Sequence, residues 1–418
     1  MPGMGRSVRG ADRGAVGSGS AFVGPPGSTW SDAGLAELTG RADRPGLGPP
    51  PGLVPGVHAL AGSIARHSSR IGRTVDVDPL ELMADRARSM GLGRNGPVSC
   101  GGSTRLLPAR DDWMAVSLSR PSDWDLVPAW LGLPTGVDAG DWAPVARAVA
   151  GSTTGELLDR SAGLGLPVAR VGERRHRPPA PGGTADGIDG IVGIACHRLG
   201  ATSRPPADAG DLVVADLSAL WAGPLVGAVL VEVGARVVKV ESTTRPDGAR
   251  VGSPRHFAGL DRGKEPVTVD LTTQLGRTEL HGLVDGADVV ITSARPRALE
   301  QLGFRPADAV RTGRPRVWVM VTGYGTDPGS ADRVAFGDDA AAAGGLVVRD
   351  DRGPCFCADA VADPVTGLAA SAAVLRALAD GGEHLLVASM ADVAGGLVDG
   401  PGAGASAGAR PATGVGPG

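Results

Sequence analysis

The apolar positions of this chain follow two regimes that change near residue 210. Beyond it, short runs of valine, isoleucine and leucine stand almost unbroken: LVVADLS (212–218), RVVKVE (236–241), PVTVDL (266–271), ADVVIT (287–292), RVWVMVTG (316–323) and HLLVAS (384–389). Strands that alternate apolar with polar residues bury one face. Unbroken β-branched runs bury both, as in a parallel sheet covered by helices. Segments of helical character separate the runs, near 273–284, 298–302 and 363–379. The clearest unit lies within residues 211–240. After its first strand, a WAGP turn (221–224) puts Pro224 at the first helical position, where a missing N–H costs nothing. A helix Leu225–Val233 ends at Gly234, and a second buried strand follows. Such a βαβ unit requires a parallel sheet and a right-handed crossover. The alternation predicts an α/β fold, a Rossmann-like doubly wound parallel sheet over 211–398, with ligands beyond the carboxyl ends of the strands.

Upstream of 210 the patterns are shorter. Residues 57–71 and 78–91 read as helices and RTVDVD (73–78) as a short strand. LLPARDDWMAVSLS (106–119) reads as a hairpin around Asp111 and Asp112, followed by amphipathic helices near 122–131 and 154–164. Residues 99–172 thus form a small α+β domain. A weak internal repeat relates 33–87 to 340–397: small-residue helix, RxDRxG-type turn, helix, strand, helix, with His58 opposite Asp363. Residues 29–98 therefore read as a degenerate half-copy of the large domain. The 67 glycines and 34 prolines concentrate at 1–28, 46–56, 173–210 and 400–418. That composition predicts disordered tails at 1–28 and 399–418 and an interdomain linker at 173–210.

Composition narrows the function classes. A net charge of −4 offers no broad basic field for nucleic acid or membrane, and 3% aromatics offers no stacking platform. Four scattered cysteines make no disulfide scaffold, and Cys355-x-Cys357 lacks the second pair or histidine that a metal site needs. No apolar run reaches membrane-spanning length and the first residues lack an apolar signal core, so the expected location is cytoplasmic. The cations are arginines apart from two lysines, Lys239 and Lys264.

Five ordered landmarks then suggest a family. DLSALWAGPLVGAVLVEVGARVVKVE (216–241), DRGKEPVTVDL (261–271), GADVVITSARPRALEQLGF (286–304), RPRVWVMVTGYGTDPG (314–329) and ADPVTGLAASAAVLRAL (362–378) resemble the successive motifs of class III CoA-transferases, the CaiB/BaiF group. That group includes formyl-CoA transferase, carnitine CoA-transferases and α-methylacyl-CoA racemase. RLLPARDDWMAVSLSRPSDWDLVPAWLGLP (105–134) and GELLDRSAGLGLPVARVGE (155–173) resemble the family's small domain, which here precedes the large one instead of following it. The half-copies thus stand in permuted order.

The resemblance implies a CoA-transferase that moves CoA between an acyl-CoA and a carboxylic acid, with no permanently bound cofactor and a homodimeric assembly. It assigns Asp363 as nucleophile, forming a covalent acyl intermediate. Read from its local sequence alone, Asp363-Pro364 is first of all a helix N-cap, and only the landmarks around it favour the nucleophile. The CoA-binding positions implied are Trp221 and Ala222; Asp261, Arg262, Gly263 and Lys264; Ser293, Ala294 and Arg295; and Thr322, Gly323, Tyr324 and Gly325. Lys264 and Arg295 would meet phosphates. Ser242 and Gln301 stand where basic residues are expected, with Arg245, Arg250 or Arg255 as substitutes. Trp221 replaces a family glutamine, and its bulk argues against a small dicarboxylate. Gly101 and Gly102, after Cys100, fit a glycine loop over the active site. Asp338 and Asp339 fall where racemases of the family carry a histidine, and no histidine occurs between 282 and 383. They otherwise read as solvated helix-start acids. A racemase needs two acid/base groups, so transfer is the better reading, with an inactive CoA-binding homologue as its rival.

Overall fold

Asp78 sets where the second α-helix of the chain begins. Its carboxylate accepts the N–H groups of Leu80 and Glu81, and Pro79 occupies the first helical position. The computed structural model describes residues 23–24, 27–134, 136–175, 192–200 and 206–399. In the first segment α1 (Leu53–Ser68) precedes α2 (Pro79–Met90), which stops at Gly91 in the left-handed region. The strand expected at 73–78 is only an isolated bridge, Val77 to Val23, because Asp78 commits the chain to a helix start.

The small domain is a three-stranded antiparallel sheet of β1 (Thr104–Pro108), β2 (Trp113–Ser117) and β3 (Val168–Arg170). Three helices lie between β2 and β3: α3 (Pro121–Leu131), α4 (Trp142–Ala150) and α5 (Thr154–Ser161). They close its core around Met114, Val127, Trp130, Trp142 and Leu157. The hairpin β1–β2 turns about Asp111 and Asp112, with Pro108 opposite Trp113.

The large domain opens with β4 (Ile194–Arg198), β5 (Val213–Leu217), α6 (Ala222–Val233) and β6 (Arg236–Ser242). Then come α7 (Ala249–Gly252), α8 (Pro254–Leu260), β7 (Glu265–Val269), α9 (Gln274–Asp285) and β8 (Val289–Thr292). Next are α10 (Pro296–Gln301), α11 (Pro306–Thr312), β9 (Val317–Thr322), α12 (Gly337–Gly344), β10 (Val347–Asp350) and β11 (Gly353–Phe356). Last come α13 (Ala362–Ala379), β12 (His384–Ser389) and α14 (Met390–Gly396). Seven strands form one sheet in the order β4-β12-β9-β8-β5-β6-β7. All pairings are parallel except β4 with β12. β4 corrects the linker expected at 173–210. Its residues are mostly half-exposed at the sheet edge, so they lack the apolar run that marks the inner strands. The rest of that linker, at 176–191 and 201–205, and nearly all of both predicted tails lie outside the described residues.

Strand order reverses between β5 and β8, so the turns that leave them, at 218–221 and 293–295, stand at the switch point where such sheets take ligands. Beside it runs α13, in which all but Asp363 and Arg376 are buried. A helix apolar on every side belongs at the centre of a molecule. α1 of the half-copy covers one of its faces. The repeated turns of the two copies also meet: Arg44 pairs with Asp351, while Arg352 pairs with Asp43 at 2.7 Å. Asp43 and Arg44 correspond in the repeat to Asp351 and Arg352. The exchange is reciprocal between the two turns that the sequence repeat aligns.

Candidate active site

Asp363 is not the cap of its helix. α13 begins one residue earlier, and the Asp363 N–H already donates to Ala360 O at 2.9 Å. Its carboxylate instead accepts the N–H of Ala222 at the head of α6. α6 begins at Ala222, not at the expected 225, so Pro224 sits at its third position, where no intrahelical donor is missing. The Ala222 N–H is one of that helix's four unsatisfied donors, and Asp363 takes it. Gly337, the first residue of α12, lies on the other side. A Cβ there would come within 2.3 Å of the Asp363 Oδ2 and 2.4 Å of Ala360 O. Only glycine leaves the carboxyl room.

Two more carboxyls gather beside it. Asp338 accepts the N–H of Ala360 at 3.0 Å. Asp359 is fully buried and pairs with Arg86 Nη1 of α2 at 2.7 Å. Its flanking residues Ala358 and Ala360 both adopt left-handed backbone, at φ 57° and 45°. Such conformations are costly for residues with a Cβ and persist where surroundings enforce them. Burial pushes the Asp363 carboxyl up to about 7; Arg86 opposes that rise, and Asp338 and Asp359 add to it. Asp338 is likewise raised to about 7, by burial and then Asp359, against Arg86. Asp359 is raised by burial and lowered by Arg86. Asp339, expected as a solvated acid, is fully buried: it caps α12 by accepting the Phe336 N–H at 2.9 Å, and burial keeps it well above the usual carboxylate range.

The turn carrying Trp221 is pinned by buried charge. Lys239 Nζ donates to Ser218 O at 2.6 Å and lies 3.3 Å from Asp247, whose carboxylate accepts the Leu220 N–H at 3.1 Å. Leu220 is held at φ 71°, a left-handed conformation without glycine. Lys264 is buried beneath α6, bonded to Asp216 (2.8 Å), Pro224 O (2.9 Å) and Asp261 (2.7 Å). Both lysines therefore tie internal structure together. Lys264 Nζ thus donates to three partners inside the fold, at the position where the resemblance implied a phosphate contact.

The remaining expected residues separate into groups. Trp221 and Ala222 sit on the β5 turn and Ser293, Ala294 and Arg295 follow β8, so both groups lie at the carboxyl rim. Ser293 Oγ accepts the Ala219 N–H at 3.0 Å, joining these two turns. Arg295 is exposed and approaches Gly165 of the small domain. Asp261 to Lys264 precede β7 rather than follow a strand; Arg262 and Gly263 are exposed there. Thr322 ends β9 and Gly323 and Gly325 turn beyond it, but Tyr324 is buried under the Arg333 guanidinium, 3.6 Å from its ring centre. Among the suggested basic substitutes, Arg250 pairs with Glu241, while Arg245 and Arg255 are exposed. Gly101 and Gly102 are exposed, and a Cβ at Gly101 would stand 3.8 Å from Arg86 Nη2. The glycine loop and the carboxyl cluster thus meet at Arg86. Cys355 and Cys357 are buried thiols, and His58 lies on α1.

Sequence reasoning missed Arg86, Asp359 and His256. Arg86 and Asp359 lie 273 positions apart, and no local pattern distinguishes either from other charged residues. His256 is buried edge-on against Trp221, with ring centres 4.6 Å apart.

Comparison with known proteins matches residues 210–410 to the model of "CoA-transferase family III". This segment belongs to that family. A probable fatty acyl-CoA transferase of Mycobacterium tuberculosis is 32% identical over 212 residues, 47% of this chain and 54% of the relative. Succinyl-CoA–D-citramalate CoA-transferase of Chloroflexus aurantiacus is 32% identical over 190 residues, 43% of this chain and 46% of the relative. A crystal structure of the M. tuberculosis protein aligns at 34% identity and a TM-score of 0.42, covering 47% of this chain and 58% of that one. The chain spans about half the length of these curated relatives. The family III segment carries six of the seven strands of the large sheet, α13 and Asp363; β4, Arg86 and the glycine loop lie before it. No helix among the described residues is long and apolar enough to cross a membrane.

Proposed function

We propose that the chain transfers CoA between an acyl-CoA and a carboxylic acid, with Asp363 as the nucleophile. The observation that carries this reading is the position of the Asp363 carboxyl. It heads a buried helix at the switch point of the sheet, beside the rim turns of a family III segment, and titrates near 7.

The ionised carboxylate attacks the thioester carbonyl. The C–S bond breaks, CoA leaves as thiolate, and a mixed anhydride remains on Asp363. The thiolate attacks the aspartyl carbonyl, releasing the first acid and leaving an aspartyl-CoA thioester. The acceptor carboxylate attacks that thioester and frees the thiolate, which takes the new acyl group from Asp363 and restores it. The Ala222 N–H, already aimed at this carboxyl, favours negative charge at the oxygen during each tetrahedral step. Trp221 and Ala222 with Ser293, Ala294 and Arg295 form the CoA-binding rim. Gly101 and Gly102 close over the acyl group. A cytoplasmic homodimer completes the reading, and a sedimentation measurement showing only monomer would overturn the dimer.

The test is incubation of the whole chain with a mixed panel of acyl-CoAs and acids, followed by hydroxylamine. Mass spectrometry should find the hydroxamate on Asp363 and newly formed acyl-CoA. Equal transfer by wild type and Asp363→Ala would remove the nucleophile assignment. CoA binding without transfer or labelling would establish the rival, an inactive homologue. Deuterium exchange at the substrate α-carbon without transfer would instead establish a racemase.

A further inference from the structure

Helix α2 delivers one cation to the place where all parts of the site meet. Arg86 donates to Asp359 at 2.7 Å, with 22% of its side chain exposed and none of the aspartate's. Its guanidinium lies 5.7 Å from the centre of the Trp221 ring, and its second terminal nitrogen borders Gly101. The preceding residue points into the same region: Asp85 Oδ2 lies 3.5 Å from His256 Nδ1, and His256 packs on Trp221. Two adjacent charges of the half-copy therefore engage two groups of the family III segment. The left-handed residues on both sides of Asp359 hold that carboxylate toward Arg86. Its other oxygen has no hydrogen-bond partner among the described residues.

The charge balance gives this contact a consequence. Asp363 is faced by Asp338 and Asp339 of α12, by Asp359, and by Arg86; Cys100 and His256 border the same cluster. Among the described residues, Arg86 is the cation among the largest influences on Asp363 and on Asp338. Without it, four carboxyls would share a poorly hydrated space, where like charges cannot all ionise.

We propose that Arg86, which lies outside the family III segment, is a positioning residue: by holding Asp359 it keeps Asp363 ionised and available. This rests on the reading of Asp363 as nucleophile. It adds that the site is completed in cis by the half-copy, which supplies the counter-charge that the large domain lacks. The half-copy is thus a working part of the site as well as a cover for α13.

The test uses the full-length chain and its Arg86→Gln, Arg86→Lys and Asp359→Asn variants. Two quantities are read across neutral pH: the rate of CoA transfer, and the protonation of Asp363 from infrared difference spectra against Asp363→Asn. In wild type both should turn over near pH 7. Losing a cation at this range raises the inflection by about one unit or more, which leaves Asp363 about fivefold less ionised at pH 7. Arg86→Lys should return it toward wild type. Asp359→Asn removes an anion and should move it the opposite way, downward. Opposite shifts for the two variants support the proposal, since general structural damage has no sign. An inflection unmoved in both variants, with activity lost uniformly, overturns it. If Arg86→Gln fails to fold, Arg86→Met, which fills the space without the charge, decides by the same upward shift. If wild type transfers no CoA, the functional reading falls, and the infrared titration still tests whether Arg86 governs the charge on Asp363.

Discussion

Asp363 carries a carboxyl that titrates near 7 because burial and two neighbouring carboxyls outweigh one guanidinium and one N–H. The consequence for stability has a definite sign. The folded state holds this proton more tightly than the unfolded chain, where the ordinary value is 3.8. The stabilisation is complete below that value and is lost as pH rises through about 7. Asp363→Asn should therefore stabilise the protein above neutrality by on the order of 1–3 kcal/mol and have little effect in acid. Urea unfolding at both pH values checks this; an equal change at the two would remove the electrostatic explanation. Gly337 offers a second test. Gly337→Ala forces a methyl against the Asp363 Oδ2 and Ala360 O. It should cost about 1–3 kcal/mol of stability and at least about tenfold in CoA transfer, because overpacking here moves the reacting carboxyl itself. Normal transfer by that variant would show that the carboxyl tolerates displacement.

At the scale of elements, the head of α6 depends on strain held by buried charge. The turn at 218–221 fixes Leu220 at φ 71°, and Lys239, Asp247 and Asp216 secure its backbone. Leu220→Gly should relieve that conformation and stabilise the fold by up to about 1 kcal/mol, offset in part by the freedom glycine gains when unfolded. Thermal unfolding measures it, and marked destabilisation would show that the Leu220 side chain matters more than its backbone. Lys264→Met leaves Asp216 fully buried without its cation. A loss of about 3–5 kcal/mol is expected. A variant as stable as wild type that had lost CoA affinity would support the phosphate role for Lys264. The boundaries of these elements were only partly legible. β5, β6, β8 and β9 could be read within two residues because unbroken apolar runs have one explanation in a sheet buried on both faces. β4 could not, since an edge strand needs no such run. The start of α6 was misplaced because Pro224 is compatible with any of the first helical positions.

Over the whole molecule, the half-copy and the family III segment form one core. Leu53, Val57, Leu60 and Ile64 of α1 join the cluster that contains Val365, Leu368, Ala372 and Leu375 of α13. Removing residues 1–98 should therefore expose a helix buried on nearly every side and yield an aggregating protein, as gel filtration and circular dichroism would show. A soluble, cooperatively unfolding fragment would mean that the large domain closes without the half-copy. The reciprocal ion pairs contribute less. Arg44 and Asp351 are 40% and 68% exposed, a class of contact worth about 0–1 kcal/mol. They join the two turns more than they hold the core together.

By itself the sequence determined the inner strands of the sheet and the helix that begins beside Asp363. These depend on local periodicity and on motifs a few residues long, which a chain displays along its length. Only the tertiary structure decided that Asp363 lies inside the helix rather than capping it, that Lys264 is an internal tie, and that Arg86 faces Asp359. Each is a matter of which groups share a low-dielectric space. Sequence order carries no record of that, because the groups come from elements that meet only when the core closes.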